Sequence, residues 1–152
     1  MRISTKAEYA IRALIEIAAQ DRGLPVPADA VATAQQISRS FLLTIFADLR
    51  RAGLLHSQRG QSGGWLLARP ADTITLAHII RAVDGPLASI HGRRPETVDY
   101  ETTRAPLQLV WIAMRSSLRE VLEAVSLQHL VDGDLPQAVT ARISSEDAWL
   151  PH

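Results

Sequence analysis

Three runs carry the fold: Ile37-Ser38-Arg39-Ser40-Phe41-Leu42, then Leu49-Arg50-Arg51-Ala52-Gly53-Leu54-Leu55, then Arg59-Gly60-Gln61-Ser62-Gly63-Gly64-Trp65-Leu66-Leu67-Ala68. Between Ser38 and Gly53 the apolar residues Leu42, Ile45, Phe46 and Leu49 recur at three- and four-residue steps, the period of one helix face. Ser38 is an expected N-cap, and Gly53 an expected stop. The opposite face is small and mixed: Ser40, Leu43, Thr44, Ala47 and Arg51, with Arg39 at its start and Arg50 near its end. Leu54 to Arg59 and Trp65 to Ala68 then read as two strands joined by a glycine-rich turn, a β-hairpin.

Working outward, two helices precede this unit. Thr5-Lys6-Ala7-Glu8 reads as a capping box opening a helix whose apolar positions are Ala7, Ala10, Ile11, Leu14, Ile17 and Ala18. Gly23 and Pro25 end it, and Asp29 to Gln35 form a short second helix. After the hairpin, Thr75 is placed to cap a fourth helix with Leu76, Ile79, Ile80 and Val83 inward and Gly85 closing it. Residues 86–105 lack periodicity and read as a loop. Pro106 suits the first turn of a long helix reaching about Val125, apolar at Leu107, Val110, Trp111, Met114, Leu118, Val121 and Leu122. Leu109, Ile112 and Ala113 make its first half apolar nearly all round, so it needs two covering surfaces. One is its own domain; the other is expected to be a second copy, with Leu109, Trp111, Ile112 and Leu118 as the pairing residues. A turn from Leu127 to Val131 ends at Gly133, residues 133–152 form the C-terminal tail, and its end from Ser144 to His152 reads as loosely held.

Three helices followed by a hairpin is the order of a winged helix-turn-helix, in which the second helix of the pair enters the major groove and the wing reaches the neighbouring backbone. The expected class is mainly α: a winged domain over 1–85, the loop 86–105, and a dimerisation region over 106–132. Charge supports it. The 152-residue chain is neutral overall, yet residues 1–70 hold nine bases against five acids, and 71–152 seven bases against eleven acids. Apolar residues at 47% supply a core, and 21% charged residues argue against disorder. No apolar run is long enough for a bilayer and no signal-peptide core is present, so a cytoplasmic location is expected.

The three runs quoted above, together with Ile3-Ser4-Thr5-Lys6-Ala7-Glu8-Tyr9-Ala10-Ile11-Arg12 and the segment from Ile74-Thr75-Leu76 to Val83-Asp84-Gly85-Pro86, resemble the IscR/NsrR/CymR family of bacterial transcriptional regulators, the Rrf-two group. The resemblance covers residues 1 to about 132. It implies a homodimeric protein, usually a repressor, that binds palindromic double-stranded DNA. On this reading Ser38 and Ser40 add hydroxyl donors at a helix start that already offers amides to phosphate. Arg39 and Thr44 are the candidates for base edges. Arg59 and Gly60 form the wing tip, and Gly63 and Gly64 are expected to permit positive φ in its return. Arg50 and Arg51 either touch phosphate or complement the helix dipole. Trp65 reads as hairpin core. Leu43 stands where relatives often carry a polar or acidic residue.

The chain departs from many relatives in the loop. They place three Cys there to ligate an iron–sulfur cluster; this chain has no Cys, so thiolate clusters, disulfides and thiolate nucleophiles are excluded and no cofactor or metal is expected. His78 and His129 read as structural. Tyr9, His91 and Trp111 are the candidate contacts for a small-molecule effector, and a protein partner is the other route of control. The alternative function is an interaction module that regulates by binding an enzyme or another regulator through the acidic half. No phosphate loop, metal motif or nucleophile elbow suggests an enzyme.

Overall fold

The computed structural model describes residues 3–20, 23–101 and 104–151. Helix α1 (Thr5–Ala19) starts one residue earlier than the capping-box reading implied: Ser4, in extended conformation, is the N-cap, and its Oγ accepts the Ala7 N–H at 2.9 Å. The same Oγ donates to Asp84 at 2.8 Å, which fastens the start of α1 to the far end of the fourth helix. Thr5 is therefore already helical, and Glu8 pairs with Arg12 at 3.4 Å instead of capping. Helix α2 (Ala28–Gln35) closes on Gln36 in the left-handed region. Helix α3 (Arg39–Arg51) has Ser38 at its N-cap position, although the side chain bonds no helix amide.

Strands β1 (Leu55–Gln58) and β2 (Gly64–Leu67) pair antiparallel, with Leu55 opposite Leu67 and Ser57 opposite Trp65. Val26 adds a third rung: its N–H donates to the Trp65 carbonyl at 2.9 Å and its carbonyl accepts the Trp65 N–H at 2.8 Å. The wing is thus bound to the segment before α2 as well as to α3, where the Trp65 ring lies 4.8 Å from Phe46. Trp65 is half-buried there, the core role expected of it.

Helix α4 (Leu76–Asp84) opens with a reciprocal capping box, the Thr75 hydroxyl accepting the His78 N–H and His78 Nδ1 accepting the Thr75 N–H. The same device opens α6 (Leu127–Asp132) through Ser126 and His129. The two boxes sit back to back: Leu76 N–H donates to the Val125 carbonyl and Leu127 N–H to the Ile74 carbonyl, each at 2.9 Å. Both histidines are structural, and burial with nearby Arg69 and Arg81 lowers the His78 pKa from its ordinary value. Leu127 is wholly buried in the core that α1, α2, α3, α4 and the hairpin build around Leu14, Leu42, Ile45, Phe46, Leu49 and Ile79.

Helix α5 (Ala105–Leu122) is 18 residues long, three short of the expected end at Val125, and buries none of its side chains fully. Leu109 is 66% and Val110 55% exposed. Residues 86–101 run without a long element and include a short helical turn, Pro95–Thr97. The C-terminal tail begins with a helix that the sequence reading did not assign: α7 (Gln137–Ile143) follows Pro136, and its Arg142 pairs with Glu120 of α5 at 2.7 Å. Among the described residues no helix is long and apolar enough to cross a membrane.

Candidate nucleic-acid interface

The outer face of α3 carries Ser38, Arg39, Ser40, Thr44, Arg50 and Arg51, all exposed, because Leu42, Ile45, Phe46 and Leu49 turn fully inward. The Ser38 hydroxyl caps nothing, so it and the first-turn amides face outward at the positive end of the helix dipole. Arg39 is drawn to Asp29 of α2 at 2.6 Å, but with 61% and 71% of the two side chains exposed the pair is worth only about 0–1 kcal/mol. Thr44 donates its hydroxyl to the Ser40 carbonyl at 3.2 Å, which leaves the oxygen lone pairs and methyl group outward. Leu43 is half-buried beside it.

The two arginines at the end of α3 part company. Arg51 bonds Asp48 at 2.7 Å. The other Asp48 oxygen receives Lys6 of α1 at 2.5 Å, and this hydrogen bond, ahead of the one from Arg51, holds the carboxyl below its ordinary pKa. Lys6-Asp48-Arg51 is therefore a brace between α1 and α3. Arg50 is exposed and has no ion pair among the described residues. The brace was missed in the sequence because Lys6 and Asp48 lie 42 positions apart.

At the wing tip Arg59 is exposed and likewise has no ion pair among the described residues. Gly60 holds φ +112, and its carbonyl accepts the Gly63 N–H at 3.0 Å to close the turn. Gly63 and Gly64 are not in the left-handed region, contrary to expectation. They are required by space: a Cβ on Gly63 would meet the Gln58 carbonyl oxygen at 2.4 Å, and one on Gly64 the Val26 backbone at 2.6 Å. Exposed Gln58 and Gln61 flank Arg59 and were passed over in the sequence, although amide side chains beside a tip arginine are the available signal.

The effector residues are not brought together. Tyr9 packs edge-on against Phe41, with ring centroids 6.0 Å apart, under the Arg12 guanidinium. His91 is exposed in a turn at φ +50. Trp111 lines a cavity of about 440 Å³ between α5 and the α4 end, with Met114, Ile80 and Ala88 among its walls. Its indole N–H donates to the Tyr100 hydroxyl at 3.2 Å.

A helix-turn-helix whose second helix shows a polar, partly cationic face, followed by a glycine-bound wing with an arginine tip, defines a winged-helix DNA-binding regulator of transcription. The model of the Rrf2 family, described as an iron-dependent transcriptional regulator, matches residues 3–133, and the chain belongs to that family. A protein of Mycobacterium tuberculosis (strain H37Rv) named as an HTH-type transcriptional regulator is 42% identical over 139 residues, covering 91% of this chain and 86% of its own. CymR of Bacillus subtilis is 33% identical over 130 residues, 86% of this chain and 89% of that protein. In solved structures, CymR, the global cysteine regulator of B. subtilis, superposes with a TM-score of 0.74 at 32% identity over 88% of this chain and 98% of its own. IscR of T. potens gives 0.69 at 29% identity over 99% and 97%. These relatives are transcriptional regulators, a non-enzymatic class.

The residues here do not fit the iron–sulfur cluster that the resemblance to the IscR/NsrR/CymR regulators implies. Such clusters are held by thiolates, and the chain has none. Among the described residues no group of three or more His, Asp or Glu is gathered to replace them.

Proposed function

We propose that two copies of the chain pair along α5 and lay their α3 helices in successive major grooves of a palindromic operator, repressing transcription in the cytoplasm. The observation that carries this reading is the pairing of two unsatisfied surfaces: a polar α3 face and wing tip whose Arg50 and Arg59 have no ion pair among the described residues, and an α5 whose Leu109 and Val110 stand in water. Apolar exposure of that kind is a liability on a monomer and an asset at an interface. Leu109 and Val110 lead the contact; Trp111, Ile112 and Leu118, each half-exposed, extend it. Residues 1–85 read the DNA, 106–132 set the spacing of the two readers, and 86–105 connect them.

In this complex Ser38, Ser40 and the α3 amides receive one phosphate, Arg39 and Thr44 face base edges, and Arg59 with Gly60 enters the flanking minor groove or its backbone. Control acts without a cluster, through a ligand or a partner. A gel shift with the DNA upstream of the protein's own gene, combined with sedimentation, tests it. Two protomers per duplex are expected; a monomer at micromolar concentration, or binding no tighter than to random DNA, contradicts the reading.

A further inference from the structure

Away from α3 and the wing, four arginines converge on one cavity. Arg81 of α4, Arg94 of the connection, and Arg115 and Arg119 of α5 line a space of about 450 Å³ below Pro86 and Leu87, with Glu96 the one carboxylate in its wall. Glu96 is engaged by Arg115. Glu123, outside the lining, accepts from Arg81 at 2.5 Å and from Arg119 at 3.0 Å, which fixes both guanidiniums in place. Arg94 is exposed and has no ion pair among the described residues. Four positive charges, three of them held in place, thus face two carboxylates, which leaves two positive charges unbalanced.

We propose that this cavity binds a small organic dianion, either a dicarboxylate or a phosphate monoester. Guanidinium forks match the planar or tetrahedral oxygens of such groups two at a time, and Arg is the residue suited to them. The volume is within the range of ordinary small-molecule sites, and Pro86 with Leu87 supplies an apolar wall for the carbon body. Prior engagement of Arg81, Arg119 and Arg115 lowers the ordering cost of binding, since those side chains are already held. Because the arginines come from α4, the connection and α5, a bound dianion joins the DNA-reading half to the long helix. The inference does not depend on how the protein meets DNA.

Isothermal titration of the full chain with citrate and with inorganic phosphate, at constant ionic strength balanced by chloride, is the test. Saturable binding of at least one of the two is expected, with one site per protomer. Arg94→Gln removes an exposed side chain with no ion pair, so the fold is kept, and it should weaken that binding at least tenfold. Arg142→Gln, outside the cavity, should leave it unchanged. Citrate binding alone marks a polycarboxylate as the ligand class, and phosphate binding alone a phosphate ester. No saturable heat from either anion, or equal binding by wild type and Arg94→Gln, overturns the proposal. So does loss of DNA affinity in Arg94→Gln when neither anion binds, since the arginines would then serve the DNA backbone.

Discussion

Gly64→Ala tests how the wing is held. A Cβ at this position lies 2.6 Å from both the carbonyl carbon and oxygen of Val26, closer than any real Cβ contact, and backbone on both sides leaves nothing flexible to yield. The bridge between Val26 and Trp65 must open, losing two hydrogen bonds of 2.9 and 2.8 Å at about 1 kcal/mol each. Loosening Trp65 from Phe46 costs about 0.5–1.5 kcal/mol more, while replacing glycine returns about 0.4–1 kcal/mol through the unfolded chain. The net loss is about 2 kcal/mol, or roughly 4–8 °C in Tm for a chain of this size. Urea denaturation at fixed protomer concentration reads it. Gly53→Ala is the comparison: φ is +70 there, but nothing lies within 4 Å, so only left-handed strain of roughly 1–2 kcal/mol, partly offset in the unfolded chain, applies. A Gly64→Ala loss below about 0.5 kcal/mol, within the usual range of neutral surface changes, would refute the steric argument.

Two further outcomes follow from other parts of the molecule. Leu109→Asp leaves the protomer folded, since the side chain is 66% exposed, but weakens self-association by roughly tenfold or more through lost apolar burial and a desolvated charge; sedimentation velocity showing the wild-type dimer would contradict the pairing along α5. Glu123, held by Arg119 and then Arg81 at a pKa of about 2 against an ordinary 4.5, stabilises the fold fully above pH 4.5 and loses that contribution as pH falls toward 2. Its exposed setting limits the effect to at most about 1 kcal/mol. Glu123→Gln should flatten the acid side of a plot of urea midpoint against pH, and an unchanged slope would remove the pair from the stability account.

Periodicity made α1 to α4 legible because each buries one stripe against a common core, and Leu42, Ile45, Phe46 and Leu49 declare that stripe without help from the rest of the chain. What required the structure was every contact between distant residues. Ser4 and Thr5 are equally good caps locally; the bond from Ser4 to Asp84, eighty positions away, accompanies the choice of Ser4. Gly63 and Gly64 look like turn glycines, yet their need is set by the backbone of Gln58 and Val26, which approaches only once the hairpin has folded. Tyr9 was expected near Trp111 because α1 offers no local sign of which face meets α5; in the fold that face carries Ala7, and Tyr9 looks toward Phe41. Helix α7 was missed because Ala138, Val139, Ala141 and Ile143 give a weak stripe, although Pro136 before it was a usable start signal. The arginine cavity was invisible for the same reason as the Lys6-Asp48 brace, its charges being scattered from Arg81 to Arg119.

The most direct measurement of the central claim is fluorescence anisotropy on the DNA upstream of the protein's own gene, comparing wild type with Arg59→Ala across a series of salt concentrations. Arg59 is exposed and makes no ion pair among the described residues, so its removal should leave the urea midpoint unchanged within about 0.5 kcal/mol. Wild-type affinity should fall linearly on a log–log plot against salt, as phosphate contacts release counterions. Arg59→Ala should bind more weakly by about 1–3 kcal/mol, with a shallower slope if the arginine sits on phosphate and relaxed sequence preference if it reads a groove. Equal affinity and slope for the two proteins, or wild-type binding indistinguishable from random duplex, would contradict the reading of α3 and the wing as the DNA-binding surface.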